Sequence, residues 1–216
     1  MEIAIISDTH MPRGKRRLPD ECARLLRRAD LIIHAGDLVT LDVLDELRSF
    51  GPPVYAVHGN VDEHAVRRAL PGRLIVEAAG ARLGVVHDAG PARGRLARLR
   101  RAFPDADAVV FGHSHIALHE RDADGFQVFN PGSPTEKRRA RAHTMGVAWI
   151  VPPGRGTAPR PPEPPGRAKR ATRDAAAHEP HELPAERAKR AGHHAIDREP
   201  HELPAPAIHL ELITLD

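Results

Sequence analysis

Five short apolar runs in this chain are each followed at once by side chains that can bind a metal ion. If the runs are strands of an open α/β sheet, the loops after them collect at the carboxyl ends of the strands, where such folds bind ligands. The pattern therefore predicts one site built from all five loops. The runs and the residues that follow them are Ile3–Ile6 with Asp8 and His10, Leu31–Ile33 with Asp37, Val54–Val57 with Asn60, Leu83–Val86 with His87, and Val109–Phe111 with His113 and His115.

These seven side chains comprise four imidazoles, two carboxylates and one amide. The set suits a borderline divalent metal, with Mn as first choice and Ni, Co, Fe or Zn as alternatives, and it offers too few oxygens for calcium. Seven ligands are too many for one catalytic ion with an open position, so we expect two ions that share a bridging carboxylate. One such motif alone would indicate only a turn or a hydrogen-bonded histidine, but five in order are hard to obtain by accident.

The order of the predicted elements indicates an α/β fold with two sheets. The early β-α-β-α-β order predicts a parallel sheet covered by helices, and the later strands predict a second, mixed sheet packed on the first. Helices are predicted over about 19–29, 40–49, 62–70 and 95–102, and further strands over 74–77, 126–129 and 144–151.

Residues 152–206 differ from the rest of the chain. They contain twelve of the 21 prolines, no Phe, Trp or Tyr, and a 20-residue duplication with 13 identical positions. Because their apolar content is mostly alanine, burial cannot offset the entropy of ordering, and we expect a disordered or weakly helical insertion. The chain is therefore divided into a core, 1–151, the insertion, 152–206, and a final strand, 207–216, that pairs with 144–151 and returns to the core sheet.

Five motifs stand in order along the core: Asp8-x-His10, Gly36-Asp37, Gly59-Asn60, His87 and Gly112-His113-Ser114-His115. Together they resemble the signature of the calcineurin-like metallophosphoesterase superfamily. The short chain and the sequence Asn130-Pro131-Gly132-Ser133 resemble its small prokaryotic phosphodiesterase branch. The resemblance covers residues 1–151 and, less specifically, the last strand. It implies a two-sheet β-sandwich flanked by helices, the four-layer αββα fold, and a metal-dependent phosphoric ester hydrolase.

The resemblance also implies a role for each ligand. We expect hydrolysis of a phosphodiester by a metal-bridging hydroxide, with Asp37 and Asn60 as catalytic residues, because Asn60 and the ions can stabilise charge on the non-bridging oxygens. One ion would be held by Asp8, His10 and His115, the other by Asn60, His87 and His113, and Asp37 would bridge them.

Four further residues are expected to support the ligands: His34, His58, Asp88 and Asn130. For Asp88 the alternative is a solvent-facing side chain, and for Asn130 a plain turn at the Pro-Gly that follows. His34 and His58 could instead be packed residues.

Two features bear on protons and substrate. Many phosphatases of the family have a histidine directly after the Gly-Asn motif, where this chain has Val61, which leaves no obvious general acid. Asp62 is the nearest titratable residue, and we interpret it as a helix cap rather than an acid. Arg13 and Lys15 could hold a phosphate at the rim of the site, the alternative being a solvated loop.

Other function classes stay open. The same superfamily includes a retromer subunit that acts as an interaction scaffold. The Arg-Ala-Lys-Arg repeats of the insertion would fit a nuclease or nucleic-acid-associated role, although the insertion has ten basic and eight acidic residues and a net charge of only about +2. A small phosphoester substrate and a homodimer are both compatible with the chain. The single cysteine, Cys22, the lack of a secretory signal and the lack of a long apolar run predict a cytoplasmic protein without a membrane span.

Overall fold

The computed structural model of the chain describes residues 1–152 and 206–215. Ten strands in these two ranges form two five-stranded sheets. The helices are α1 Asp20–Arg28, α2 Leu41–Ser49, α3 His64–Ala69 and α4 Arg95–Ala102, with a short 3-10 turn at Arg13–Lys15. The strands are β1 Glu2–Ile6, β2 Leu31–His34, β3 Val54–Ala56, β4 Arg73–Ala78, β5 Ala81–Val86, β6 Ala108–Val110, β7 Leu118–Arg121, β8 Gln127–Asn130, β9 Thr144–Val151 and β10 Ala207–Thr214.

The first sheet has the order β10-β9-β1-β2-β3 and the second the order β4-β5-β6-β8-β7. Strands β1, β2 and β3 are parallel, because α1 and α2 carry the chain back between them. β9 and β10 extend this sheet with antiparallel pairs, so the first sheet is mixed as well. The second sheet has a parallel centre, β5-β6-β8, and antiparallel edges. The predicted two-sheet α/β fold is confirmed.

The side chains of β1 point alternately to the two faces of its sheet, and in this way they hold the layers together. Ile3 and Ile5 face inward and pack with residues of the second sheet, including Val110 and Phe129, in the core between the sheets. Their neighbours Ala4 and Ile6 face the other way, against α1, α2 and α3. A third cluster packs α4 on the outer face of the second sheet. Each fully buried Ile or Phe side chain contributes about 1.5–3 kcal/mol to this four-layer arrangement.

The structure departs from the sequence prediction in two elements. Strand β7 was not predicted, since its sequence Leu-His-Glu-Arg at an edge of the sheet lacks an apolar run. Helix α3 begins at His64, not at Asp62, so the interpretation of Asp62 as a helix cap is wrong. None of the four helices in the described ranges, the longest of which have nine residues, combines the length and apolar character that a membrane span requires.

The last strand lies beside β9 along its whole length. Ala207 is opposite Val151, and Thr214 is opposite Thr144. Apart from its two end residues, the predicted insertion 152–206 lies outside the described residues, so its conformation and the proposed division of the chain stay predictions.

Candidate metal centre

The loops that follow β1 and β2 are joined by backbone hydrogen bonds. The amide of Asp8 donates to the carbonyl of Gly36 over 2.9 Å, and the amide of His10 donates to the carbonyl of Asp37 over 3.0 Å. On the second sheet, the amide of Gly112 donates to the carbonyl of His87 over 2.9 Å. Parallel strands thus bring the predicted ligands together at one edge of the sandwich, at the carboxyl ends of the strands.

A first group of candidate ligands consists of Asp8, His10 and His115. All three are buried, and one potential ligand atom of each lies within 4.8 Å of the others. The Oδ1 atom of Asp8 is 3.3 Å from Nε2 of His115 and 3.9 Å from Nε2 of His10. Ser7 donates its hydroxyl to the Asp8 carboxylate over 2.6 Å, and the backbone amide of His113 also points to it.

A second group combines Asp8, Asp37 and His87, again all buried. Next to it, the Oδ1 atom of Asn60 lies 3.1 Å from Nε2 of His87 and 2.9 Å from Nδ1 of His113. Asn60 and His113 are exposed, so the second group opens to solvent whereas the first is enclosed.

The Asp37 carboxylate lies between the two groups. Its Oδ2 atom is 3.4 Å from Nε2 of His10 and 3.3 Å from Nε2 of His87. Its other oxygen, Oδ1, accepts the backbone amide of Val61 over 2.9 Å. Asp37 therefore faces one imidazole of each group, as a bridging ligand would.

The hydrogen bonds of two histidines show that the cluster fits a cation. His87 donates Nδ1–H to the carbonyl of Ala35 over 2.8 Å, and His115 donates Nδ1–H to the carbonyl of Glu136 over 3.0 Å. In the neutral rings Nε2 then carries a lone pair, and in both cases that lone pair faces carboxylate oxygen. The Nε2 atoms of His10 and His115 are buried and have no hydrogen-bond partner within the described ranges. A nitrogen lone pair and a carboxylate oxygen repel each other. A proton or a metal ion between the two atoms makes the contact favourable.

The pKa shifts of His10 and Asp37 indicate that, without a metal ion, protons lie between the imidazoles and the carboxylates. Burial alone lowers the pKa of His10, but the carboxylates of Asp37 and Asp8 outweigh it and raise that pKa to about 9. Burial also opposes the charged form of Asp37, yet hydrogen bonds from His10 and His87 hold the pKa of this carboxyl well below its ordinary value. At His115 burial dominates and lowers the pKa, which keeps that ring neutral and able to bind a metal.

The backbone at the cluster is strained. Five of the seven predicted ligands have a positive φ, a region that residues with a side chain rarely adopt. The five are Asp8, His10, Asp37, His113 and His115, with φ between 48° and 70°.

Two glycines allow the loops to approach each other. A Cβ atom at Gly112 would lie 2.7 Å from Oδ2 of Asp8, and a Cβ atom at Gly59 would overlap the carboxylate and the backbone of Asp37. Both positions therefore require glycine because a ligand occupies the space that a side chain would need.

Two of the four predicted supporting residues contact the loops of the cluster. His34, fully buried, accepts the amide of Gly36 at Nδ1 and bonds Thr9 through Nε2. Asn130 donates to the carbonyl of Gly112 over 2.8 Å, and the turn that follows it is bonded to the β1 loop, since Ser133 donates to the carbonyl of Asp8 over 2.8 Å. The plain-turn alternative for Asn130–Ser133 does not describe this loop.

The other four predicted residues form no hydrogen bond or ion pair with the side chains of the described ligands. Asp88 is exposed and accepts the amide of Gly90 over 2.7 Å, so its predicted contact with His87 is wrong, and the solvent-facing alternative holds. The ring of His58 is half-buried and lies beside Gly59 and Gly72. Arg13 is exposed with its guanidinium 3.5 Å from the carbonyl of Val61, next to Asn60, and Lys15 is exposed on the same loop.

Sequence reasoning assigned one carboxylate near the cluster, Asp62, to the wrong role and missed a second, Glu136. Asp62 is buried and accepts three backbone amides, from Gly59 and Val39 over 2.6 Å each and from Asp37 over 3.2 Å. It therefore fastens the β2 loop to the β3 loop and does not face a leaving group. Glu136 lies beneath two imidazoles, with Oε2 3.8 Å from Nδ1 of His10 and 3.7 Å from Nδ1 of His115. Its place shortly after the Asn-Pro-Gly-Ser turn was the available signal.

The fold is that of a metallophosphoesterase, and the Asp and His groups of the cluster have the composition and spacing to hold metal ions. The chain belongs to the calcineurin-like phosphoesterase superfamily, whose domain matches residues 1–163. A probable metallophosphoesterase of Methanothermobacter thermautotrophicus is 36% identical over 140 residues, which cover 64% of this chain and 80% of that protein.

Solved structures show the same fold. An archaeal phosphodiesterase aligns with a TM-score of 0.55 at 24% identity, covering 68% of this chain and 92% of that one. Vps29 from Entamoeba histolytica, complexed with zinc, aligns with a TM-score of 0.59 at 23% identity, covering 69% of this chain and 86% of that one.

Proposed function

We propose that this protein is a dinuclear metal-dependent phosphodiesterase that hydrolyses its substrate with a metal-bridging hydroxide. The observation that carries the proposal is the pair of carboxylate–imidazole groups that meet at Asp8 and Asp37, with imidazole lone pairs directed at carboxylate oxygens. In the proposed assignment His10 and His115 complete the first site with Asp8, while Asn60, His87 and His113 complete the second, with Asp37 between them.

The charge of the loaded site favours an anionic substrate. Two divalent ions supply a hydroxide near neutral pH and polarise the phosphoryl oxygens when they are bound. Asp8 and Asp37 offset two of the four positive charges, so a net positive charge stays at the open side, where Asn60 and His113 are exposed. Asn60, whose amide reaches both His87 and His113, is placed to orient the phosphoryl group and to stabilise charge on its non-bridging oxygens.

The residues next to Asn60 supply no proton to a leaving group. Val61 has an apolar side chain, and the Asp62 carboxylate is directed at backbone amides. We therefore expect the rate to depend steeply on the leaving group, with nitrophenolate expelled faster than an alkoxide.

The test is hydrolysis of bis(4-nitrophenyl) phosphate by protein that is first freed of metal by a chelator and then supplied with Mn, Ni, Co, Fe or Zn. We expect activity with at least one metal, Mn being the first choice, and about two ions per chain by elemental analysis. The Asp37→Asn variant keeps an oxygen for the Val61 amide but loses the bridging charge, so we expect a loss of about a hundredfold or more. The matched control is Asp42→Asn, an exposed carboxylate on α2.

The same experiment distinguishes this proposal from the alternative of a non-catalytic scaffold. That alternative is considered because the chain shares its fold with Vps29. A scaffold would retain little metal after dialysis and would hydrolyse neither diester nor monoester. Equal activity of the Asp37→Asn and Asp42→Asn variants would also contradict the proposal.

A further inference from the structure

Two basic loops that are far apart in the chain meet beside the metal cluster. The first covers residues 12–17, after β1, and the second covers 136–141, before β9. They are joined through one carboxylate: the Arg16 guanidinium is 2.7 Å from Oε1 of Glu136, and Nε of Arg138 is 3.5 Å from its Oε2. We call the surface formed by these two segments the basic rim.

The basic rim concentrates charge that the rest of the chain lacks. The two segments contain eight basic residues and one acidic residue, a net charge of +7, whereas the whole chain carries only +3. The remainder of the chain is therefore net negative, and the positive potential is local. Arg17, Arg139 and Arg141 are exposed, and no ion pair links them to another residue of the described segments.

The rim borders the metal cluster directly. Glu136, which joins the two loops, lies within 3.8 Å of the Nδ1 atoms of His10 and His115. At the other side Arg13 reaches the carbonyl of Val61, the residue after Asn60. The rim therefore lies next to the cluster, with Arg13 on the side where Asn60 is exposed.

Arginine suits a phosphate that is bound rather than cleaved. Six of the eight basic residues of the rim are arginines, and a guanidinium can donate two parallel hydrogen bonds to phosphate oxygens. A net charge of +7 at the edge of the centre exceeds what a single diester anion could neutralise.

We propose that the basic rim is a second phosphate site, and that the substrate is a phosphodiester that carries at least one further phosphate outside the metal centre. This inference rests on the proposed phosphodiesterase function. The shared chemistry, a diester with an additional phosphate, occurs in oligonucleotides and in mononucleotide diesters that carry a second phosphate on the sugar.

The test compares two substrates with the same scissile bond: thymidine 5′-(4-nitrophenyl phosphate) and the same compound with a 3′-phosphate. The readout is the ratio of their kcat/KM values, so that any change common to both substrates cancels. We expect the wild-type protein to prefer the 3′-phosphorylated compound about fivefold to tenfold. The preference should decline as salt rises from about 0.05 M to about 0.3 M, because salt screens exposed charges.

Two variants remove charge from one loop each, and a third serves as control. Arg138→Gln with Arg139→Gln and, separately, Arg13→Gln with Lys15→Gln should each bring the ratio toward one. The control, Arg48→Gln with Arg101→Gln, removes the same charge from the last turns of α2 and α4, which run from the site toward the opposite end of the strands. Its ratio should equal that of the wild type.

The outcomes separate this inference from the proposed function. A wild-type ratio near one, or an equal fall in the control, would overturn the second phosphate site while the phosphodiesterase activity stands. If no metal gives activity, the test is titration calorimetry of metal-free protein with thymidine 3′,5′-bisphosphate. Binding that is weakened about tenfold in the rim variants supports the second phosphate site, and unchanged binding refutes it. A further gain in affinity from two to about six thymidylates would identify an oligonucleotide as the source. No gain would identify a mononucleotide diester with a second phosphate.

Discussion

Replacement of Asp62 by alanine should reduce both stability and metal affinity, because its carboxylate holds two ligand loops together. The substitution leaves three backbone amides without a partner, those of Asp37, Val39 and Gly59. Each buried amide that loses its acceptor costs about 1–1.5 kcal/mol, so we expect the free energy of unfolding to fall by about 3–4.5 kcal/mol. The Asp62→Asn variant can keep an oxygen toward Gly59 and Asp37, and should lose about half as much.

Urea denaturation of metal-free protein measures the first effect, and titration calorimetry with Mn measures the second. We expect the affinity for Mn to fall at least about tenfold, because the loops that supply Asp37 and Asn60 are no longer fixed. Glu63→Ala is the matched control: Glu63 is the actual boundary residue of α3, it is exposed, and it makes no capping hydrogen bond. A loss of only about 1 kcal/mol with unchanged metal affinity would be the signature of a simple helix cap and would refute this reasoning.

Three other predictions concern protons and packing. Because the pKa of His10 is about 9 without an ion, metal binding must displace a proton. The affinity for Mn should therefore rise about tenfold per pH unit up to that pKa. An affinity that calorimetry finds constant between about pH 7 and about pH 8.5 would contradict this. Burial lowers the pKa of His34 to about 4, below its unfolded value of 6.5. As pH falls, the unfolded state therefore binds the proton before the folded state does. The free energy of unfolding should decrease as pH falls from about 6.5 to about 4. Urea titrations should show a weaker pH dependence in His34→Gln. Gly112→Ala should displace Asp8 and reduce both Mn affinity and diester hydrolysis at least about tenfold, whereas Gly72→Ala, where the nearest atom is the end of a side chain 3.3 Å away, should change neither.

The sequence predicted the fold and the position of the cluster for the same physical reason. Apolar runs mark buried strands, and the residues after parallel strands share one edge of the sheet, so Asp8, Asp37 and His87 could be placed together without any coordinates. Strand β7 could not be predicted, because its pairing with β8, and not the burial of an apolar run, holds it in the sheet.

The missed contacts have a different character. Asp62 resembles any acidic residue before a helix, and only the folded positions of Val39 and Gly59 show that its partners are the amides of other loops. Glu136 is 126 residues from His10 in the chain, and its place shortly after the Asn-Pro-Gly-Ser turn is the one local signal that relates them. Such contacts depend on how loops fold over each other, which hydrophobic periodicity does not encode.

The left-handed backbone at the ligands links the supply of metal to the lifetime of the protein. Strain of about 1 kcal/mol at each of the five positions is held in the metal-free chain by the hydrogen bonds that join the loops, and a bound ion would add its binding energy to them. Copies that fail to acquire their ions are then the ones that open most readily to proteases. A cell starved of the metal would clear these idle copies first, so that the amount of protein follows the amount of ion it can use.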